Sequence, residues 1–170
     1  MAMSHDCRSN ERKLAAFVSA LRREQIPDEP AKLTKLILLA VCGTAVAGAG
    51  EDGCGQILTM LRHQGGVPEA TVMVHGNKLP VTSAAMVNAV MARALDFCDA
   101  MAPGLHIGSS LVPAAFAAAE LMGGCSGREF LTALVTGAEV SSRLKQRLRA
   151  RLRCAVRSRA RSRRRDRPEP

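Results

Sequence analysis

The chain has 170 residues, 47% of them hydrophobic, which is enough apolar sequence for one domain with a core and excludes a wholly disordered chain. Its formal net charge of +9 is uneven, because residues 141–170 hold 12 arginines and Lys145 against Asp166 and Glu169. This segment carries +11 and leaves −2 for residues 1–140, so the charge does not indicate a polyanion partner for the body.

The first predicted helix runs from about Glu11 to Glu24. It follows Asn10, a residue type that caps helices, and Pro27 and Pro30 lie beyond its end. The apolar residues have the i, i+3, i+4, i+7 spacing of one helix face: Leu14, Phe17, Val18 and Leu21.

A second helix is predicted from about Ala31 to Ala47. Its small residues, including Ala45 and Gly48 just beyond it, would let another helix approach closely. The most apolar run of the chain, Leu36 to Ala49, is about 14 residues long, whereas a bilayer span needs roughly 20. We therefore interpret this helix as buried and expect no membrane contact. The N-terminus has no apolar stretch of the kind a secretory signal needs, so we expect a cytoplasmic protein.

A short third helix is predicted around Gln56 to His63, ending at Gly65 and Gly66. The run from Ala70 to Val74 is β-prone and precedes a turn-like His-Gly-Asn, so it is the one place where we expect a strand.

Three further features predict the remaining helices. Thr82 or Ser83 is expected to cap a helix that continues toward Phe97. Ser110 is expected to cap the next, with Pro113 in its first turn and Gly123 and Gly124 at its end. The last helix begins at Gly127, because Ser126 and Glu129 form a capping box, and it carries apolar residues on one side: Phe130, Leu131, Leu134 and Val135.

The fold class predicted from these elements is mainly α, with at most one short β segment. Residues 1–144 form the predicted helical domain, and residues 145–170 form an Arg-rich, low-complexity tail that is irregular or helical. The tail offers an alternative function, non-specific nucleic-acid binding, because arginines neutralise phosphates and release counterions. It has no aromatic residue for stacking bases, and we favour an out-of-frame ending over a selected basic arm.

The stretch from Ala84 to Glu120 reads AAMVNAVMARALDFCDAMAPGLHIGSSLVPAAFAAAE. It resembles a segment of the MmgE/PrpD family, which includes 2-methylcitrate dehydratase and cis-aconitate decarboxylase. In that segment an AAF(V/I)NG helix leads into H-A-L-D-(F/Y)-D-D, a loop with H-P, and a helix of the form V-x-P-A-L-x-A-L-A-E. The flanking KLTKLILLAVCGTAVAGAG, EATVMVHGNKLP and SGREFLTALVTGAEVSSRL are also similar to family motifs, so the resemblance covers about residues 12–144.

The resemblance carries three site residues over by position: Asp96, Asp99 and His106. The chain departs from the family pattern at four other positions: Ala40 for Asp, Arg93 for His, Cys98 for an acid and Ile107 for Pro. A histidine has a pKa near neutrality and suits proton transfer, and we expect the two aspartates on one face of a helical end, where they orient the imidazole or move a proton. On sequence alone a histidine in a Pro/Gly loop, such as His106, is more often a surface or structural residue than a catalyst, and Asp96 and Asp99 also fit exposed acids at a helix end.

The resemblance implies the N-terminal portion of a cofactor-independent lyase acting on a small polycarboxylate, and a homodimer. The family's further catalytic His, Lys and Tyr match nothing in this chain, so we expect it to be inactive as written. No metal site is expected, because the histidines lack ligand-spaced partners. Gly48, Gly50 and Gly53 spell G-x-G-x-x-G, but a predicted helix precedes them where a dinucleotide site needs a strand.

Overall fold

The computed structural model describes the backbone of residues 4–100 and 106–145 and the side chains of residues 10–100 and 106–145. Contacts between Cα atoms divide the chain into two units, Met1–Ala138 and Glu139–Pro170. The elements of the first unit are α1 (Ser4–Ala20), α2 (Asp28–Gly48), α3 (Cys54–Gln64), β1 (Ala70–Thr71), β2 (Lys78–Leu79), α4 (Val81–Arg93), α5 (Gly108–Leu121) and α6 (residues 127–138). The fold is mainly α, as predicted.

The second unit is helical over residues 139–145, where Arg143 forms an ion pair with Glu139 one turn away. The predicted tail lies outside the described residues apart from Lys145. The division into residues 1–144 and 145–170 therefore stays a prediction.

Helix α1 begins earlier than predicted. Asn10 lies inside α1 and is not its cap, because the segment Ser4–Ala20 contains neither proline nor glycine to interrupt the helix. The helix ends at Ala20 rather than Glu24, and a 3-10 turn follows at Arg23–Gln25.

Helix α2 begins just after Pro27, and its first turn carries Asp28 and Glu29, which suits the positive end of the helix dipole. The expectation of a buried helix was wrong for its outer face, where four large apolar side chains are 57–70% exposed: Leu33, Leu36, Leu39 and Val46. Only the opposite face packs against α4 and α5. Among the described residues α2 is the one helix long and apolar enough to cross a membrane by length and composition, with 22% of its apolar window buried.

Helix α4 lies at the centre of the first unit, between α2, α3 and α5. Its side chains Val87 and Met91 are fully buried. Gly48 of α2 lies against the carbonyl oxygen of Met91, where a Cβ atom would overlap it, whereas Gly43 faces open space. The close approach predicted from the small residues of α2 is therefore confirmed.

The small sheet pairs β1 with β2 in antiparallel register, Ala70 opposite Leu79 and Thr71 opposite Lys78. The predicted strand is confirmed but covers only its first two residues. Its partner β2 was missed, because two residues are too few to show an alternating pattern.

Two side chains from helices hold this sheet. Asn88 of α4 is buried, and its amide accepts a hydrogen bond from the Met73 backbone N–H (2.8 Å) and donates one to the Thr71 carbonyl (3.0 Å). Glu120 of α5 accepts from the Thr71 N–H (3.0 Å) and hydroxyl (2.7 Å) and pairs with Lys78 (3.2 Å). Burial alone would raise the pKa of Glu120, but the hydrogen bonds from Thr71 and Lys78 outweigh it and lower that pKa.

The predicted caps of α4 and α5 were wrong. Pro80 precedes α4, and the first amide of the helix, that of Val81, donates to the Glu69 carboxylate at 3.0 Å, so neither Thr82 nor Ser83 caps it. Ser110 lies inside α5, and Pro113 lies in the interior of that helix rather than in its first turn. In both helices a carboxylate from elsewhere in the chain accepts the hydrogen bond of the first amide in place of a local hydroxyl: Glu69 for α4 and Asp99 for α5.

The end of α5 and the start of α6 are as predicted. Gly123 and Gly124 have φ of 80° and 106°, and the Gly124 N–H donates to the Ala119 carbonyl at 2.8 Å, which closes the helix. Ser126 and Glu129 form the capping box, with the Ser126 N–H 2.8 Å from the Glu129 carboxylate and the Glu129 N–H 3.2 Å from the Ser126 hydroxyl. Beyond it, Leu131 and Leu134 of α6 are buried.

Candidate functional site

The candidate site lies in the loop between α4 and α5, which the structure describes at residues 94–100 and 106–107. Helix α4 ends at Arg93, not near Phe97, and Asp96 takes a left-handed conformation with φ of 57°. Asp96 and Asp99 therefore do not share one face of a helical end, and that expectation was wrong. The loop nevertheless gathers the three predicted residues and two others: Arg93, Asp96, Cys98, Asp99 and His106.

The ring of His106 is oriented by a backbone contact. Its Nδ1 lies 2.8 Å from the carbonyl oxygen of Asp99. Because a carbonyl oxygen only accepts, Nδ1 carries the hydrogen, and Nε2 is the free base nitrogen of the neutral imidazole. His106 is exposed, so Nε2 is available to a substrate.

Asp99 holds the first turn of α5 in place. Its Oδ1 accepts a hydrogen bond from the Gly108 N–H at 2.9 Å, so the Asp99 carboxylate caps the helix from nine residues away. A Cβ atom at position 108 would overlap the Asp99 carboxylate, and only glycine allows this approach. Asp99 thus positions both His106, through its carbonyl, and α5, through its side chain.

Asp96 is the more open of the two aspartates. Its side chain is 79% exposed, and its Oδ1 lies 3.0 Å from Nη2 of Arg93. A left-handed backbone is tolerated by aspartate better than by most residues, which accounts for the sharp turn at this position. The carboxylate therefore faces solvent beside a guanidinium.

Arg93 and Cys98 were noted in the sequence only as departures from a family pattern. In the structure the Cys98 sulfur lies 3.3 Å from Nδ1 of His106 and accepts a hydrogen bond from Nη1 of Arg93. The sequence signal for them was that both departures lie inside the seven-residue motif, residues 93–99, that also contains Asp96 and Asp99.

Two of these side chains, the His106 ring and the Asp96 carboxylate, are exposed. Two cavities of about 600 and 500 Å³ lie elsewhere, one lined by residues that include Arg23, Lys35 and Arg128, the other by residues that include Lys78, Phe116 and Glu120. Within residues 10–100 and 106–145, no group of three His, Cys, Asp or Glu side chains is placed to hold a metal ion. The arrangement offers a base nitrogen, a carboxylate, a thiol and a guanidinium side by side in water.

Comparison with known proteins identifies the segment that contains this loop. A family model described as the MmgE/PrpD N-terminal domain matches residues 12–154, most of the chain. No curated protein matches the chain.

Proposed function

Because this chain belongs to the MmgE/PrpD family, whose members are hydro-lyase-type enzymes, we propose that it forms one wall of a lyase site for a small polycarboxylate. The substrates that fit the proposal are 2-methylcitrate, which a dehydratase would act on, and cis-aconitate, which a decarboxylase would act on. The observation that carries the proposal is the free Nε2 of His106 in the loop that begins at the Arg93–Asp96 ion pair.

The chemistry of dehydration explains why these groups suit the reaction. A base removes a proton from the carbon beside a carboxylate, an acid assists the departing hydroxide, and cationic groups hold the carboxylates. His106 Nε2 is the base or acid in this proposal, with Asp96 as the second proton-transfer group. Arg93 offers the planar guanidinium that pairs with a carboxylate, and Asp99 positions the imidazole.

We further propose that the 170-residue chain does not turn over such a substrate alone. The Asp96 side chain is 79% exposed and His106 is exposed, so water screens the charges that a transition state would need. The missing wall would come from other residues of a complete site, and the resemblance implies a homodimer as its setting. We also propose that the protein is cytoplasmic.

A turnover assay tests this proposal. The purified chain is incubated with 2-methylcitrate and with cis-aconitate, and product formation is followed over hours. We expect none above the uncatalysed rate. Robust turnover that His106→Ala abolishes would overturn the inactivity while supporting the lyase assignment, and turnover unaffected by His106→Ala would contradict the site.

A second candidate function follows from the charge of +11 on residues 141–170. Such a segment binds RNA without sequence preference and with affinity that falls steeply as salt rises. RNA binding is measured at low and high salt for the full chain and for residues 1–144. Salt-sensitive binding lost with the tail supports a non-specific tail interaction, and sequence-specific binding by residues 1–144 would contradict the lyase proposal.

A further inference from the structure

The cavity of about 600 Å³ lies where the 3-10 turn, α2 and the start of α6 meet, and we call it the basic cavity. Four of its lining residues are charged. The lining consists of Arg23, Glu24, Lys35, Gly127, Arg128 and Leu131. None of these residues belongs to the loop between α4 and α5, so the basic cavity is distinct from the proposed lyase site.

The charge of the basic cavity is opposite in sign to that of the body of the chain. Arg23, Lys35 and Arg128 contribute three positive charges and Glu24 one negative charge, so the lining carries +2. Residues 1–140 as a whole carry −2. Positive charge is therefore concentrated at this cavity, and a concave surface lined by one sign of charge attracts ions of the other sign.

Two of the three cations are weakly neutralised by the protein itself. Lys35 has no ion-pair partner in the part of the chain that the structure describes. Nη1 of Arg128 lies 3.4 Å from Oε1 of Glu24, and the two side chains are 73% and 69% exposed. Since water and salt screen an exposed ion pair, Arg128 can exchange this carboxylate for a more highly charged anion.

The third cation, Arg23, is held at the wall of the cavity. Its side chain is 25% exposed, and Nη1 donates a hydrogen bond to the carbonyl oxygen of Ile26 at 3.0 Å. Ile26 is buried in a core cluster with Ala31 and Leu131. The guanidinium is therefore fixed in place by the fold, and less side-chain entropy is lost when it binds a ligand.

A phosphate group matches this arrangement better than a carboxylate. Phosphate presents three acceptor oxygens and carries about 1.5 to 2 negative charges near neutral pH, whereas a carboxylate presents two oxygens and a single charge. The cations come from three separate elements, the 3-10 turn, α2 and α6, so they approach a ligand from different sides. A volume of about 600 Å³ is that of a small-molecule site and leaves room for more than one phosphate group.

We propose that the basic cavity binds a small molecule that carries a diphosphate group, and that Arg23, Lys35 and Arg128 contact its oxygens. Glu24 opposes this binding, because its carboxylate repels the ligand and competes for Arg128. The binding does not depend on lyase activity, so either proposal can fail while the other holds.

The experiment uses pyrophosphate as the probe and the full chain at constant ionic strength. A ligand that binds the folded chain stabilises it, so the midpoint of urea unfolding should rise by about 0.5 M at a pyrophosphate concentration roughly ten times the dissociation constant. The amide NMR signals of Lys35, Gly127 and Arg128 should shift in the same titration. Citrate, a polycarboxylate, should raise the midpoint less. An unchanged midpoint, or a larger rise with citrate, would overturn the proposal.

Variants locate the binding in the cavity. Lys35→Ala and Arg128→Ala should each weaken pyrophosphate binding about threefold to tenfold, whereas Glu24→Gln should strengthen it about twofold. Arg62→Ala removes an exposed arginine of α3 outside the cavity and is the matched control, which should change nothing. Attraction of pyrophosphate to the arginines of residues 145–170 is common to all variants, so it does not account for differences between them. Equal dissociation constants for the Lys35, Glu24 and Arg62 variants would contradict the assignment.

Discussion

The link between Asp99 and the first turn of α5 supports the sharpest prediction. Replacing Asp99 by alanine removes the acceptor of the Gly108 N–H and leaves the first amide of α5 without its partner. Replacing it by asparagine keeps an acceptor oxygen and removes only the charge. The two substitutions therefore separate the hydrogen bond from the charge.

The expected magnitudes follow from capping energies. Loss of an N-terminal cap costs about 1 kcal/mol, and loss of a negative charge at a helix N-terminus costs about 0.5 kcal/mol more. Asp99→Ala should therefore weaken the first turn of α5 by about 1–2 kcal/mol, and Asp99→Asn by about 0.5 kcal/mol. As a control, Asp96→Asn removes a charge whose side chain is 79% exposed, and it should leave α5 unchanged.

Amide hydrogen exchange measures this effect locally. A loss of 1–2 kcal/mol corresponds to exchange roughly 5- to 30-fold faster if the first turn opens by local unfolding. The acceleration should be confined to Gly108 and the residues just after it, while amides in the middle of α2 keep their rates. Equal exchange in Asp99→Ala and the wild-type chain, or equal effects of Asp99→Ala and Asp96→Asn, would refute this account of the cap.

Three further predictions concern the body of the domain. Gly48→Ala should destabilise the chain by about 1–3 kcal/mol, because the new Cβ overlaps the Met91 carbonyl. Gly43→Ala, in open space on the same helix, should stabilise the chain by about 0.5–1 kcal/mol. Equal midpoints of urea unfolding for the two variants would contradict this. Asn88→Ala should cost about 2–4 kcal/mol in the same assay, because it leaves the Met73 N–H and the Thr71 carbonyl unpaired. A cost below about 0.5 kcal/mol would show that water replaces the amide. Because its pKa is lowered in the folded chain, the Glu120 carboxylate stabilises the fold above about pH 4.3, and this stabilisation is lost as the pH falls through the folded pKa. Glu120→Gln should therefore make the free energy of unfolding depend less on pH in the acidic range. An unchanged pH dependence would contradict the ion pair.

Local signals in the sequence were reliable where the partner lies within a few residues. Gly123, Gly124, Ser126 and Glu129 set the end of α5 and the start of α6 through bonds between near neighbours. The caps of α4 and α5 were missed because the acceptors, Glu69 and Asp99, lie 12 and nine residues from the amides that they cap. No local pattern specifies a hydrogen bond that the tertiary fold creates.

The candidate site shows the same limit. The resemblance located Asp96, Asp99 and His106, and the structure brings them into one loop. It gave no contacts for Arg93 and Cys98, which the structure places against them. The exposed face of α2 was also unexpected. The composition of a helix shows that it is apolar, but it does not show which of its faces packs against other helices.

The proposed function has this loop as one wall of a lyase site, with the other wall formed by other residues of a complete site. The most direct measurement supplies that wall by replacing the N-terminal domain of an active family member with residues 12–154 of this chain and assaying turnover of 2-methylcitrate and cis-aconitate. We expect activity on one of them that is lost in His106→Ala and in Asp96→Ala and retained in Asp99→Asn. A folded chimera that is inactive, or one that keeps its activity with His106→Ala, would contradict it.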